Sequence, residues 1–118
     1  MAASQKILLV EDEYLIRMLL EDMLDDLGYS VVGAAGSVSE ASKLASSTEC
    51  DVAILDVNLD GQEVFPVADI LASRGLPFVF VTGYGGAGLP EQYRSRPTLQ
   101  KPFQLDELSK TLDAILTQ

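Results

Sequence analysis

Runs that are apolar at every position recur along this chain: Ile7-Leu8-Leu9-Val10, Val52-Ala53-Ile54-Leu55 and Phe78-Val79-Phe80-Val81. A strand with one face in water alternates apolar with polar, so an unbroken run implies a strand covered on both faces, as in a parallel sheet with helices on each side. Extended segments are expected at 6–10, 30–34, 52–55, 77–81 and 98–100. Helical patterns lie between them. Ile16, Leu19, Leu20, Met23, Leu24 and Leu27 follow the three-and-four spacing of one helix face, with Gly28 as the stop. Ser37-Val38-Ser39-Glu40 fits a capping box opening a second helix that runs to about Ser47. Val67, Ile70 and Leu71 mark a third, ending near Gly75. Leu105, Leu108, Leu112 and Ile115 mark the last, with Asp106 and Glu107 in its first turn, where acids favour the helix dipole.

The remaining segment, 83–97, holds Gly83, Gly85, Gly86, Gly88, Pro90 and Pro97. An interior glycine costs a helix about 1 kcal/mol and a proline about 3 relative to alanine, so only a short turn near 91–94 is expected there. This weak segment is expected to be the least stable part of the domain. Strand and helix otherwise alternate along the chain. With right-handed crossovers the pattern predicts an α/β fold, an open doubly wound sheet of five parallel strands with helices on both faces and a short or poorly formed fourth helix. In such sheets the functional crevice lies outside the carboxyl ends of the strands.

The residues at those ends are chemically distinctive. Glu11 and Asp12 follow the first strand, Asp56 the third, Thr82 the fourth and Lys101 the fifth. Taken singly, each has an ordinary explanation as a cap, turn or surface residue, and Glu13 is expected to be only an exposed first-turn acid. Together they bring three carboxylates to one edge, where mutual repulsion is relieved by a cation. An all-oxygen set with room for water suits Mg²⁺ better than Zn²⁺.

Charge narrows the function classes. Eighteen acids against eight bases give a net charge of −10, which makes nucleic acid an unfavourable partner. The absence of histidine excludes histidine catalysis and histidine metal sites. Cys50 is the single cysteine, so no internal disulfide forms, and a small shielded thiol is expected. The amino-terminal apolar run is too short for a signal peptide or a membrane span, which gives a cytoplasmic chain without membrane attachment, organised as one domain over 1–118. Arg94 and Arg96, close to Lys101, offer a docking point for an acidic patch on a partner, but such charges are more often merely solvated, and that reading is preferred.

"LLVEDE", "AILDVNL", "FVFVTGY" and "LQKPF" fall in order and spacing like the blocks of receiver domains of two-component response regulators, and the resemblance covers the whole chain. It implies the flavodoxin-like strand order 2-1-3-4-5 and phosphorylation of Asp56 by a histidine kinase. It further implies that Asp12 is a direct Mg²⁺ ligand, that Glu11 holds metal-bound water, and that Asn58 supplies a backbone carbonyl to the metal. Thr82 resembles the hydroxyl that closes on the phosphoryl group, Lys101 the amine that pairs with it, and Lys101-Pro102 the family's cis peptide.

Two places depart from the common pattern. The loop "DVNLDGQEVF" lacks the familiar Met-Pro pair, and Thr98 stands where many receivers carry a tyrosine or phenylalanine, so the usual threonine–aromatic switch is not expected. "PFVFVTGYGG" instead resembles a subgroup whose fourth strand reads Phe-Ala-Thr-Gly-aromatic, with valine here for the alanine. That subgroup consists of single-domain regulators that often pair with HWE-type kinases in general stress signalling. The switch candidates are then Thr82, Gly83, Tyr84 and Pro102.

The resulting expectation is a stand-alone receiver, without an effector domain, that catalyses only its own phosphoryl transfer and dephosphorylation. It would signal by phosphorylation-controlled binding of a downstream protein, as a monomer or weak dimer. A relay or phosphate-sink role, exchanging the group with a phosphotransfer protein, fits the same residues. A haloacid dehalogenase-type phosphatase also uses a strand-end aspartate with Mg²⁺, but it needs Asp-x-Asp, and in Asp56-Val57-Asn58 the asparagine cannot serve as general acid. A receiver-like scaffold that is never phosphorylated is disfavoured because every chemical residue is present.

Overall fold

The computed structural model describes residues 4–83 and 89–117. In chain order its elements are β1 (Lys6–Val10), α1 (Tyr14–Asp26), β2 (Ser30–Ala35), α2 (Val38–Ser47), β3 (Val52–Asp56), β4 (Asn58–Leu59), β5 (Gln62–Glu63), α3 (Phe65–Ser73), β6 (Phe78–Thr82), a 3₁₀ turn (Glu91–Tyr93), β7 (Thr98–Gln100) and α4 (Leu105–Leu116). The main sheet has five strands in the order β2-β1-β3-β6-β7, all parallel. This is the flavodoxin-like arrangement expected from the sequence, with the β4–β5 hairpin added to the strand count.

The all-apolar runs are covered on both faces. Every residue of β3 and β6 is buried, as are the last four of β1. Successive side chains feed two separate cores. Leu8, Val10, Ala53, Leu55, Phe78 and Phe80 pack with Ala41 and Ala45 of α2 and Val67, Ala68 and Leu71 of α3. Ile7, Leu9, Ile54, Val79, Val81 and Leu99 pack with Leu20 and Leu24 of α1 and Leu108 and Leu112 of α4. β2, at the sheet margin, alternates instead. Its register slips opposite Ile7 and Leu8, whose partners are Val31 and Gly33, so Val32 is an extra residue and is 40% exposed.

The helix starts differ in detail from the sequence reading. Ser37 Oγ accepts the Glu40 N–H at 3.2 Å, but the Glu40 carboxylate meets the Ser37 hydroxyl instead of its backbone. A fully reciprocal box opens α4, where Gln104 and Glu107 cap each other. Glu13 is at the N-cap of α1, outside the expected first turn, and its side chain makes no capping bond. In α1 the expected apolar face is wider than the sheet can cover. Leu20 and Leu24 are buried, while Leu19 is 58% exposed and joins Tyr14, Leu15 and Met18 on the outer surface. Leu19 instead borders a groove of about 380 Å³ shared with Ile16, Leu20, Met23, Lys101, Pro102 and Phe103.

Among the described residues of the glycine-rich segment, 83 and 89–97, the 3₁₀ turn is the one helical element, in line with the composition. The turn is nonetheless anchored: Leu89 and Tyr93 are buried. The Tyr93 ring lies 5.5–6.2 Å from those of Phe65, Phe78 and Phe80, and its hydroxyl donates to Asp69 of α3. Tyr84 lies outside the described residues.

The hairpin is an addition to the expected fold. Leu59 pairs with Gln62 across Asp60 (φ 50°) and Gly61 (φ 85°). Positive φ at both central residues is what a type I′ turn requires, and Asp-Gly is a preferred pair for it. Cys50 is buried, and burial pushes its thiol pKa up, in keeping with a shielded thiol. Among the described residues no helix is long and apolar enough to cross a membrane.

Candidate acidic phosphoacceptor site

Parallel strands deliver their carboxyl ends to one edge, and backbone bonds extend the ladder just past them. The Glu11 N–H donates to Ala35 O at 3.0 Å, the Val57 N–H to Val81 O at 3.0 Å and the Lys101 N–H to Thr82 O at 2.9 Å. This places Glu11, Asp56, Thr82 and Lys101 side by side, with Glu11 1%, Thr82 3% and Asp56 7% exposed. The Lys101–Pro102 bond is cis. The ammonium of Lys101 donates to Glu11 Oε1 at 2.9 Å and to Asp56 Oδ2 at 3.2 Å.

Glu11, Asp12 and Asp56 each present an oxygen within 4.8 Å of the others. Glu11 Oε2 also accepts the Glu13 N–H, and Asp12 Oδ2 accepts the Asp60 N–H at 2.9 Å. Asn58 Oδ1 accepts the Gly61 N–H at 2.9 Å, so its carboxamide is committed to the hairpin turn. A cleft of about 340 Å³ opens over the cluster, lined by Asp12, Glu13, Asp56, Asn58, Asp60, Gly61, Gly83 and Lys101. Of the residues named from the sequence, Glu11, Asp12, Asp56, Asn58, Thr82, Gly83 and Lys101 thus gather at one edge. Pro102 instead borders the apolar groove beside α1.

One cation facing three acids leaves the cluster under-neutralised. Burial pushes Glu11 up to about 7, against the lowering effect of the Glu13 N–H and Lys101. Burial also raises Asp56, restrained by the charge of Lys101. Burial would raise Asp12 too, but its hydrogen bonds, including that from Asp60, hold it below the usual range. Burial would lower Lys101, yet Glu11 and Asp56 keep its proton on and raise it. The donors are carboxylate oxygens, without nitrogen or sulfur, and one position is already favoured as an anion. This chemistry fits a hard, oxygen-loving divalent ion such as Mg²⁺.

The sequence reading missed Asp60 and Gly61, for which the Asp-Gly dipeptide was the available signal. It also missed Arg17, whose guanidinium donates to the backbone oxygen of Glu11 at 3.4 Å and lies 5.8 Å from the Tyr14 ring.

Comparison with known proteins agrees with this geometry. The family model for the response regulator receiver domain matches residues 7–113. The chain is 33% identical over 121 residues to the transcriptional regulatory protein PdtaR of Mycobacterium tuberculosis, covering 99% of this chain and 59% of that protein. The chain therefore spans little more than half of that relative. The solution structure of SdrG from Sphingomonas melonis Fr1 superposes with a TM-score of 0.85 at 46% identity, covering 98% of this chain and 99% of that one. The receiver domain of the sensor histidine kinase PA1611 from Pseudomonas aeruginosa PAO1, solved with magnesium coordinated in its active site cleft, superposes with a TM-score of 0.83 at 25% identity, over 98% of this chain and 100% of that one. Fold, acid cluster and family match converge, and the chain belongs to the receiver domains of two-component response regulators.

Proposed function

We propose that this receiver accepts a phosphoryl group on Asp56 from the phosphohistidine of a histidine kinase, and that the phosphorylated form is read by a second protein. The observation that carries the reading is the two-pronged grip of Lys101 on Glu11 and Asp56, with Asp12 beside them. A carboxylate oxygen of Asp56 attacks phosphorus in line, a P–O bond forms, the P–N bond breaks, and the imidazole leaves with its electron pair and takes a proton from solvent. Lys101 then turns from Asp56 to the transferred group and offsets its charge. The Thr82 hydroxyl, at the neighbouring strand end, donates to a phosphoryl oxygen. Asp12, Asp56 and the backbone carbonyl of Asn58 would hold Mg²⁺, with Glu11 acting through bound water. The metal, when bound, neutralises charge on the phosphoryl oxygens, which is most of what such a transfer asks of a protein.

Movement of Thr82 toward the phosphoryl group would carry Gly83 and the following segment, biasing a local equilibrium that a few kcal/mol can shift. The likeness of "FVFVTGY" to its subgroup points to a kinase of the HWE type and to stress signalling. Return of the group to a phosphotransfer histidine is the second use of the same chemistry.

Intact-mass spectrometry after incubation with a small phosphodonor tests the core of this reading. One phosphate is expected on the wild type in Mg²⁺, with none in chelator and none on Asp56→Asn. Labelling of Asp56→Asn to the wild-type extent overturns it.

A further inference from the structure

We propose that Asp60 is a positioning residue for the cation site: its backbone N–H fixes the orientation of the Asp12 carboxylate before the metal arrives. This inference rests on the cation reading above and concerns a loop that the familiar Met-Pro pattern does not describe. A proline has no N–H to give, whereas here the tip of the loop is built to deliver one.

The construction can be followed residue by residue. The Val64 N–H donates to Val57 O at 2.9 Å and closes the base of the loop, and Leu59, 1% exposed, plugs its underside into the core. The Gly61 N–H is captured by Asn58 Oδ1. Asp60 and Gly61 both adopt positive φ, so the tip curls over the acid cluster and aims the Asp60 N–H at Asp12 Oδ2, 2.9 Å away. Among the described residues Asp60 is the single non-glycine residue at positive φ, a conformation aspartate tolerates better than most. Asp12 is only half-buried, and the Asp60 N–H adds an anchor from the loop to the hydrogen bonds that Asp12 makes within the acid cluster. With Oδ2 held by the Asp60 N–H, the orientation of that side chain is set before the metal arrives. Partners that orient a metal ligand in this way typically change affinity by about tenfold or more.

Two substitutions separate the backbone from the side chain of this turn. Asp60→Asn keeps the N–H and the tolerance of positive φ while removing the charge. Gly61→Val imposes a β-branched residue at φ 85°, where an added Cβ meets no atom within 4 Å, so its effect is on turn geometry and not on packing. In Mg²⁺ titrations of the full chain followed by calorimetry, Asp60→Asn is expected to bind within about twofold of wild type and Gly61→Val about tenfold more weakly. In the metal-free wild type the Asp60 amide is expected to be protected from hydrogen exchange and to lose that protection in Asp12→Ala. Wild-type affinity in a folded Gly61→Val, an equal loss in Asp60→Asn, or an unprotected Asp60 amide each overturns the proposal while leaving the cation reading intact. Absence of any Mg²⁺ binding by the wild type overturns both. Should Gly61→Val fail to fold, the wild-type amide decides.

Discussion

Lys101 serves two buried carboxylates at once, and that division of one charge between two acids governs the metal-free protein. Glu11, 1% exposed and held up near 7, keeps its proton over a range in which the unfolded chain, with a value near 4.5, has released it. The folded state therefore binds more protons between those two values, and its stability falls as pH rises through them. The urea midpoint in chelator is expected to drop from about pH 5 to about pH 8, by an amount worth on the order of 1 kcal/mol or more. Glu11→Gln should flatten this slope, and Mg²⁺ should restore the midpoint at the upper end. A midpoint that rises over the interval would show that the cluster is already neutralised by its protein partners. Glu11, Asp12, Asp56 and Lys101 could be named from the sequence because each lies at or just past the carboxyl end of a strand-like run, the edge where the site of such a sheet is found. Asp60 could not, since its contribution is a backbone N–H that nearly every residue possesses, and only its pairing with Gly61 hinted at a turn.

At the scale of elements, the segment between β6 and β7 shows what periodicity can and cannot reveal. Its glycines and prolines argued against a regular helix, and its described residues hold only the 3₁₀ turn, but the same composition made all of it look weakly held. Leu89 and Tyr93 are isolated apolar residues with no period to announce them, yet both are buried, and Tyr93 joins three phenylalanine rings while binding Asp69. Tyr93→Phe, which removes only the hydroxyl, is expected to cost about 1 kcal/mol. Tyr93→Ala, which leaves a cavity among the rings, is expected to cost about 3 kcal/mol or more. Denaturant unfolding measures both. Equal losses for the two would assign the anchoring to the hydroxyl and not to the ring. The helices on the opposite face taught the converse lesson. The spacing in α1 identified a helix but overstated its buried face, because a sheet covers a narrower stripe than the run of leucines and methionines supplies.

For the whole molecule, that excess becomes a surface. Tyr14, Leu15, Met18 and Leu19 are 63, 79, 43 and 58% exposed, beside a groove that reaches Lys101 and Pro102 at the acidic edge. On a chain of net charge −10 such an apolar area would suit docking of the protein that, on the function proposed above, delivers or removes the phosphoryl group. Leu15→Ser with Leu19→Ser is expected to slow transfer from a phosphohistidine protein by about tenfold, the loss of an ordinary apolar anchor, while labelling by a small phosphodonor is unchanged. Equal slowing with both donors would place the effect in the fold instead of the docking. The cover on both faces of the sheet was legible because unbroken apolar runs demand it, whereas the strand order rested on the resemblance to receiver domains. The irregular margin of β2 was not legible, because a single extra valine leaves no trace in a hydrophobic pattern. That irregularity bears on what the molecule avoids. A sheet that ends in unpaired backbone is a template on which a foreign strand can grow, and Val32 breaks the even spacing such growth needs. A chain whose α1 leaves an apolar face exposed is in this way guarded, along its β2 edge, against unwanted strand pairing.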